Sequence, residues 1–220
     1  MGNVCLLQDA AYNYLRELLL ADRLEAGVIY SETQIAQALR CSRTPVKDAL
    51  TRLSHAKYID IIPSKGFMLH RLSEQDIAAT FQTRVAIESF CVISAMQRRG
   101  EPEGAAAIRR LEALLAQMRA IADGSDPEAF LRLDMAFHRE IVEFVPNEDF
   151  AELYEAHTYR IEKLANRSLR EEGRCAETCR EHTAILEAMR AGDLGACYTA
   201  VLAHNQSTYR RDLRILRAAN

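Results

Sequence analysis

No stretch of this chain approaches the roughly 20 apolar residues that a bilayer-crossing helix requires, and its N-terminus lacks the basic-then-apolar organisation of an export signal. The sequence therefore reads as that of a cytoplasmic protein. It also lacks a cationic excess: 28 lysines and arginines against 31 acids leave a formal net charge of −3. Taken whole, that balance argues against nucleic acid, and against a non-specific DNA-packaging role in particular. The six cysteines, at 5, 41, 91, 175, 179 and 197, lack the spacing of a secreted disulfide framework, and most fall on helical apolar stripes. They are expected to be reduced. Cys175 and Cys179 stand one helical turn apart with His182 just beyond, which leaves metal or redox duty open beside core packing. From Ser73 onward no plausible strand is present, nor are the Glu-x-x-His pairs of a ferritin-like di-metal site.

What is present is enough apolar material, 49% of 220 residues, for one large domain or two ordinary ones. The charge divides unevenly. Residues 1–70 carry 8 lysines and arginines against 7 acids, whereas 71–220 carry 20 against 24. The acidity belongs to the second part, and the cations of the first are concentrated between 40 and 57.

That stretch holds Ser42-Arg-Thr-Pro-Val-Lys-Asp-Ala-Leu50. Ser42 is placed to cap a helix and Pro45 falls in its first turn, where a missing N–H costs nothing. Val46, Ala49, Leu50 and Leu53 form a buried stripe; Arg43, Thr44, Lys47, Thr51 and Arg52 lie off it. Arg40, Arg43, Lys47, Arg52 and Lys57 face a single local acid, Asp48. Cations and helix N-termini both favour phosphate, and an arginine fork also matches a guanine edge in the major groove. Upstream, Ser31-Glu-Thr-Gln34 has capping-box spacing and starts a short helix carrying Ile35, Ala36 and Leu39. Two short helices so joined make a helix-turn-helix. A longer amphipathic segment precedes it at roughly 8–21, and Ile59–Ile62 and Phe67–Leu69 around Pro63-Ser-Lys-Gly66 predict a hairpin with a basic tip.

These residues, together with Ser31-Glu32, Ile35-Ala36, Arg52-Leu53 and Gly66, resemble the N-terminal domain of the GntR family of bacterial transcription regulators over about the first 70 positions. The resemblance implies DNA contact by Arg43, Thr44 and Lys47, and by a wing tip near Lys65 and Gly66. With the cap and flanking polar residues, the expected DNA-binding set is Thr33, Ser42, Arg43, Thr44, Lys47, Arg52, Lys65 and Gly66. The chain departs from the family pattern at Lys47, where arginine is usual, which favours a phosphate contact over a bidentate base contact. Ala26 replaces a common proline and Lys57 a common glycine.

Beyond Ser73 the apolar period is helical throughout, with joints at Gly100, at Gly124, at Pro146, between Leu169 and Arg174, and at Gly192 predicting six helices in an antiparallel bundle. Four polar residues interrupt the apolar faces. Asp134 and His138, four apart, share a face with Phe130, Phe137 and Ile141; His182 lies with Ile185 and Met189; His204 lies with Ala200 and Val201. Burying an acid and three imidazoles is costly, and one divalent cation would pair all four.

Asp-x3-His followed by one histidine on each of the last two helices is similar to the metal-binding FCD domain of the FadR branch of GntR regulators, over about Ser73 to Leu213. The resemblance implies zinc, with nickel or manganese as alternatives, on Asp134, His138, His182 and His204. It also implies a small carboxylate effector beside the ion, held by Arg84. His55, His70 and His157 match no ligand position and are expected to be structural. The expectation is thus a mainly α protein: a winged helix-turn-helix over 1–70, then an all-helical ligand-binding, metal-binding and dimerisation domain over 71–220. It would act as a homodimeric, acid-responsive repressor that binds double-stranded operator DNA. The rival reading is a metal-dependent enzyme fused to a DNA-targeting module.

Overall fold

The computed structural model describes residues 2–21 and 23–218, and divides them into two compact units that meet between Leu72 and Ser73. The first unit contains α1 (Gly2–Leu20), α2 (Glu32–Ala38) and α3 (Arg43–His55), followed by the antiparallel strands β1 (Ile59–Ile62) and β2 (Gly66–Leu69). Helix α1 begins earlier than the apolar spacing predicts, since no proline interrupts residues 2–7. The expected stripe on α3 is buried: Val46, Ala49, Leu50 and Leu53 join Leu15 and Leu19 from α1 and Tyr58, Ile59 and Phe67 around the hairpin. Each fully buried apolar side chain of this size contributes about 1.5–3 kcal/mol.

The hairpin pairs Ile59 with Leu69 and Ile62 with Gly66, and Tyr30 adds a bridge to Phe67 through hydrogen bonds of 2.7 and 3.0 Å. That bridge fixes one glycine. Gly66 has φ +130°, and a Cβ placed on it would lie 2.0 Å from the Tyr30 carbonyl oxygen. Lys57 has φ +60°, a left-handed conformation that accounts for the glycine common at this position in the resembling family.

The second unit is made of α4 (Glu74–Gln97), α5 (Pro102–Ala120), α6 (Pro127–Glu143), α7 (Glu148–Ser168), α8 (Arg174–Ala191) and α9 (Leu194–Ala218). The starts follow from local chemistry. Ser73 and Asp76 form a reciprocal capping box on α4, Asp126 caps α6 ahead of Pro127, and Asn147 accepts from two N–H groups of α7. Gly192, with φ +72°, ends α8 in the left-handed conformation. Helix α4 packs against all five of the others. Its buried set accordingly includes Thr80, Arg84, Glu88 and Ser89 as well as Ile77, Ile87, Cys91 and Val92. Cys41, Cys91, Cys175, Cys179 and Cys197 are free thiols, four of them buried, while Cys5 lies outside the residues whose side chains are described.

Gly66→Ala is expected to destabilise the first unit by roughly 1–3 kcal/mol, since it adds backbone strain and a clash with Tyr30. Urea denaturation of the full chain checks this, and an unchanged midpoint for the winged unit would remove the assignment.

Candidate functional site

The four polar interruptions of the helical unit converge. His138, His182 and His204 each offer a ring nitrogen lying within 4.8 Å of the other two, and all three side chains are buried. The Nε2 atoms of His138 and His204 are 3.2 Å apart. Asp134 stands at the edge of this cluster, its Oδ1 3.5 Å from His182 Nε2 and 3.9 Å from His138 Nε2. Among the described residues this is the group whose spacing suits a metal ion, and the cysteines are not part of it.

The orientation of each ring has an identifiable cause. The His182 ring stacks on Phe137 at 4.1 Å with the planes 4° apart. Glu181 accepts from His204 Nδ1 at 2.8 Å, leaving the Nε2 lone pair directed into the cluster. His138 Nδ1 lies 3.3 Å from Glu88 Oε1, without the alignment of a hydrogen bond. With protons on the two Nδ1 atoms facing these carboxylates, the His138 and His204 Nε2 lone pairs oppose each other at 3.2 Å. Asp134 Oδ1 and both ring nitrogens of His182 make no hydrogen bond.

Ligand atoms about 2.1 Å from a common ion are separated by roughly 3.0–3.4 Å at octahedral and tetrahedral angles. The observed spacings of 3.2 and 3.5 Å fall at that scale, so the residues fit a divalent cation with nitrogen and oxygen ligands. Burial, followed by the neighbouring His204 and His138 charges, holds His182 well below the usual imidazole range. Burial also lowers His204, with Glu181 opposing. Both imidazoles are therefore held neutral, the form in which nitrogen can coordinate a metal.

An outer layer surrounds these side chains, and sequence reasoning did not anticipate most of it. Arg84 Nε donates to Glu88 Oε1 at 2.9 Å, and Asn205 Nδ2 donates to Glu88 Oε2 at 3.0 Å. Burial opposes the Glu88 charge, but Arg84 and then His138 outweigh it and keep the carboxyl below its ordinary range. Arg174 donates to both oxygens of Glu181 at 3.0 Å. Burial likewise opposes the Glu181 charge, yet His204 and Arg174 bring its pKa down to about 2. The signals were faint: Arg84 and Glu88 are an i,i+4 pair of opposite sign, which on most helices is a solvated pair.

Arg84, expected to hold an effector, is thus committed to Glu88 through Nε, whereas its buried Nη2 has no hydrogen-bond partner. A small cavity of about 10 Å³ adjoins it, lined by Asp134, Ser168, Arg174, Thr178 and His204. His157, which matches no ligand position, packs against Thr80 and Arg160 instead.

In the first unit Thr33, Ser42, Arg43, Thr44, Lys47, Arg52 and Lys65 are all exposed, and Gly66 is half-buried. One expectation needs correction, and one side chain has a partner that local spacing does not reveal. Ser42 occupies the N-cap position of α3, but its hydroxyl makes no cap hydrogen bond. Arg52 turns back onto α1, where it donates to Asp9 at 2.9 Å and lies 4.2 Å from the Tyr12 ring centroid. The cations of α3 are therefore less isolated than local charge counting suggested, because acids from other helices reach them. Arg43 pairs with Glu32 at 3.0 Å and remains 58% exposed. Ser31 does cap α2, accepting from the Thr33 N–H at 3.2 Å.

Residues 7–69 match the family described as bacterial regulatory proteins, gntR family, and residues 79–207 match the FCD domain. The chain is 25% identical over 193 residues to an uncharacterised helix-turn-helix-type transcriptional regulator, YdhC, of Bacillus subtilis, covering 88% of this chain and 85% of that one. It is 29% identical over 128 residues to the gluconate operon transcriptional repressor of the same organism, covering 58% of this chain and 51% of the repressor. In fold it is similar to a GntR regulator from Rhodococcus sp. RHA1, with a TM-score of 0.70 at 17% identity over 94% of this chain and 97% of that one. These matches define the class first, a DNA-binding transcription regulator rather than an enzyme. More narrowly, the chain belongs to the GntR family and carries an FCD domain.

Glu88→Ala would leave Arg84 buried beside His138 without its principal counter-charge. We expect a loss of roughly 3–5 kcal/mol in chemical denaturation, as for other broken buried pairs. A loss below about 1 kcal/mol, the scale of an exposed pair, would show that Glu88 does not hold Arg84.

Proposed function

We propose that this chain is a repressor that binds a pseudo-palindromic operator as a homodimer and responds to a small organic acid through a metal-containing helical domain. Residues 1–70 form the DNA-binding part, and 71–220 the sensing and dimerising part. The protein works in the cytoplasm; no described helix is long and apolar enough to cross a membrane. The observation that carries the sensing half is the convergence of buried imidazole nitrogens at coordination spacing, with Asp134 beside them. Zinc suits this donor set best, with nickel and manganese as alternatives. Asp134, His138, His182 and His204 would hold the ion, which supplies a fixed positive charge and an open coordination position for a carboxylate. Glu181 and Glu88 orient His204 and His138 from behind, as outer carboxylates do in metal sites. Arg84 Nη2 and Arg174 give the carboxylate a second cationic contact.

For the DNA half, exposed Thr44 and Lys47 open the reading helix, with Thr33, Ser42 and Lys65 contributing phosphate contacts. Arg43 exchanges Glu32 for a phosphate or base edge. That exchange costs little, since exposed pairs of this kind contribute only about 0–1 kcal/mol. Arg52 acts chiefly by bracing α3 on α1, and Gly66 by giving the wing its backbone path. A two-fold dimer would present two reading helices to successive major grooves. An acid shifts operator occupancy only by the difference in its affinity for the DNA-competent and incompetent states. The repressor-named relative supports repression over activation.

Arg43→Ala is expected to abolish operator retardation in a gel shift while the oligomeric state in gel filtration stays unchanged; full retained affinity would exclude Arg43 from the interface. His182→Ala should lose stoichiometric metal by elemental analysis of the purified protein. Metal content equal to that of the parent chain would refute the assignment.

A further inference from the structure

The chain is 27% charged, yet two of its helices present almost no charge to solvent. Helix α4 carries only Glu74 and Asp76, in its first turn, and Arg84 and Glu88, which are buried. From Ile77 to Gln97, about 30 Å of helix, every side chain of α4 that reaches solvent is therefore uncharged. Ala79, Gln82, Ala86, Phe90, Ile93 and Gln97 recur at intervals of three or four and so share one face. Helix α9 has no lysine, arginine or acid between Leu194 and Tyr209. Other helices of the unit differ: α8 exposes Arg180, Glu187 and Arg190, and α5 exposes Glu103, Arg109 and Arg110.

The two uncharged faces adjoin. Phe81 of α4 stacks on Tyr209 of α9 at 4.8 Å, which sets the α9 stripe of Leu194, Tyr198 and Leu202 alongside α4. On the other flank Phe90 meets Phe150 of α7 edge to face at 5.5 Å. Among the described residues, the large apolar side chains that this unit leaves exposed are Phe90, Leu153, Leu194 and Tyr198, and all four lie on α4, α7 and α9. Apolar side chains gathered on one side in this way mark a surface that another molecule covers.

The chemistry of the face selects its occupant. Two-fold pairing sets a surface against a copy of itself, so a charged surface meets its own sign there and an uncharged one does not. Residues 71–220 carry 20 lysines and arginines against 24 acids, so two copies repel over the rest of the unit and not here. A partner selected by charge would find nothing to pair with. The short side chains of Ala79 and Ala86 let a second helix approach closely, and the aromatic rings flank it. With the adjoining stripe of α9, the face covers roughly 30 by 20 Å, the order of the 800 Å² or so per partner that a stable interface buries.

We infer that this face joins two copies of the chain about a two-fold axis, α4 crossing the partner's α4 near Ala86. The inference rests on the homodimer reading above and specifies its surface.

The test is sedimentation equilibrium of the full-length protein at micromolar concentration. The parent chain should be a dimer that does not weaken between about 0.1 and 1 M salt, a range that screens charged contacts. Ala86→Arg sets like charges together across the axis and should weaken dimerisation at least about 100-fold, with the helical content of the parent by circular dichroism. Ala116→Arg, at an exposed position of α5, should leave the dimer intact. An Ala86→Arg chain that dimerises like the parent, a dimer that salt dissociates, or a monomeric Ala116→Arg chain would overturn the face alone. If Ala86→Arg loses helical content, Gln82→Glu decides at a position already polar and exposed: a monomer upholds the face and an undiminished dimer overturns it. A monomeric parent chain removes the homodimer reading and this inference with it, leaving the face to a lipid surface or a different protein.

Discussion

Removing three imidazoles and an acid from water inside a helical unit is the constraint around which α4 to α9 are arranged. Each such group is expensive to bury alone. The structure offsets that cost with partners drawn from several helices: Glu88 and Arg84 from α4, Asp134 and His138 from α6, Glu181, His182 and Arg174 from α8, and His204 and Asn205 from α9. The polar network therefore crosses the same interfaces that the apolar side chains fill. Breaking one member exposes the next, and for this reason the outer carboxylates matter as much to the fold as the imidazoles do. Helix α4 shows the effect most plainly, since its buried positions are not one apolar stripe but alternate between packing and charge.

Much of this was legible before any coordinates. A histidine on an otherwise apolar helical face is a local anomaly, and His138, His182 and His204 each stood out in that way. The caps at Ser73, Asp126 and Asn147 were equally readable, because a capping residue acts on N–H groups only two or three positions away. Glu88, Glu181 and Arg174 were not readable. A charged residue in a helical sequence is usually solvated, and only the identity of the facing helix reveals that it is buried against another charge. Range also explains what was missed on the reading helix: Arg52 is paired with Asp9 from a distant helix, which no count of neighbouring charges includes. The hydroxyl of Ser42 was placed correctly in register, but the rotamer that decides the hydrogen bond is not encoded in spacing.

In the first unit the same division separates backbone from side chain. Its helix boundaries and hairpin follow from turn residues and apolar runs, whereas the bridge between Tyr30 and Phe67 joins segments far apart in the chain. That bridge accounts for Gly66 more directly than a ligand contact would, because the approach of Tyr30 leaves no room for a side chain there. Conversely, Lys57 adopts a left-handed backbone without being glycine, at some cost in local strain.

Helix α4 is an uninterrupted rod, with no proline or glycine between Glu74 and Gln97, and Arg84 projects from it about three turns after the Ser73 cap. Such a rod has no joint at which a small rotation could be absorbed. Residues 74–84 thus form one stiff segment, and a displacement of Arg84 is shared by the first turn of α4 instead of being absorbed within the helix.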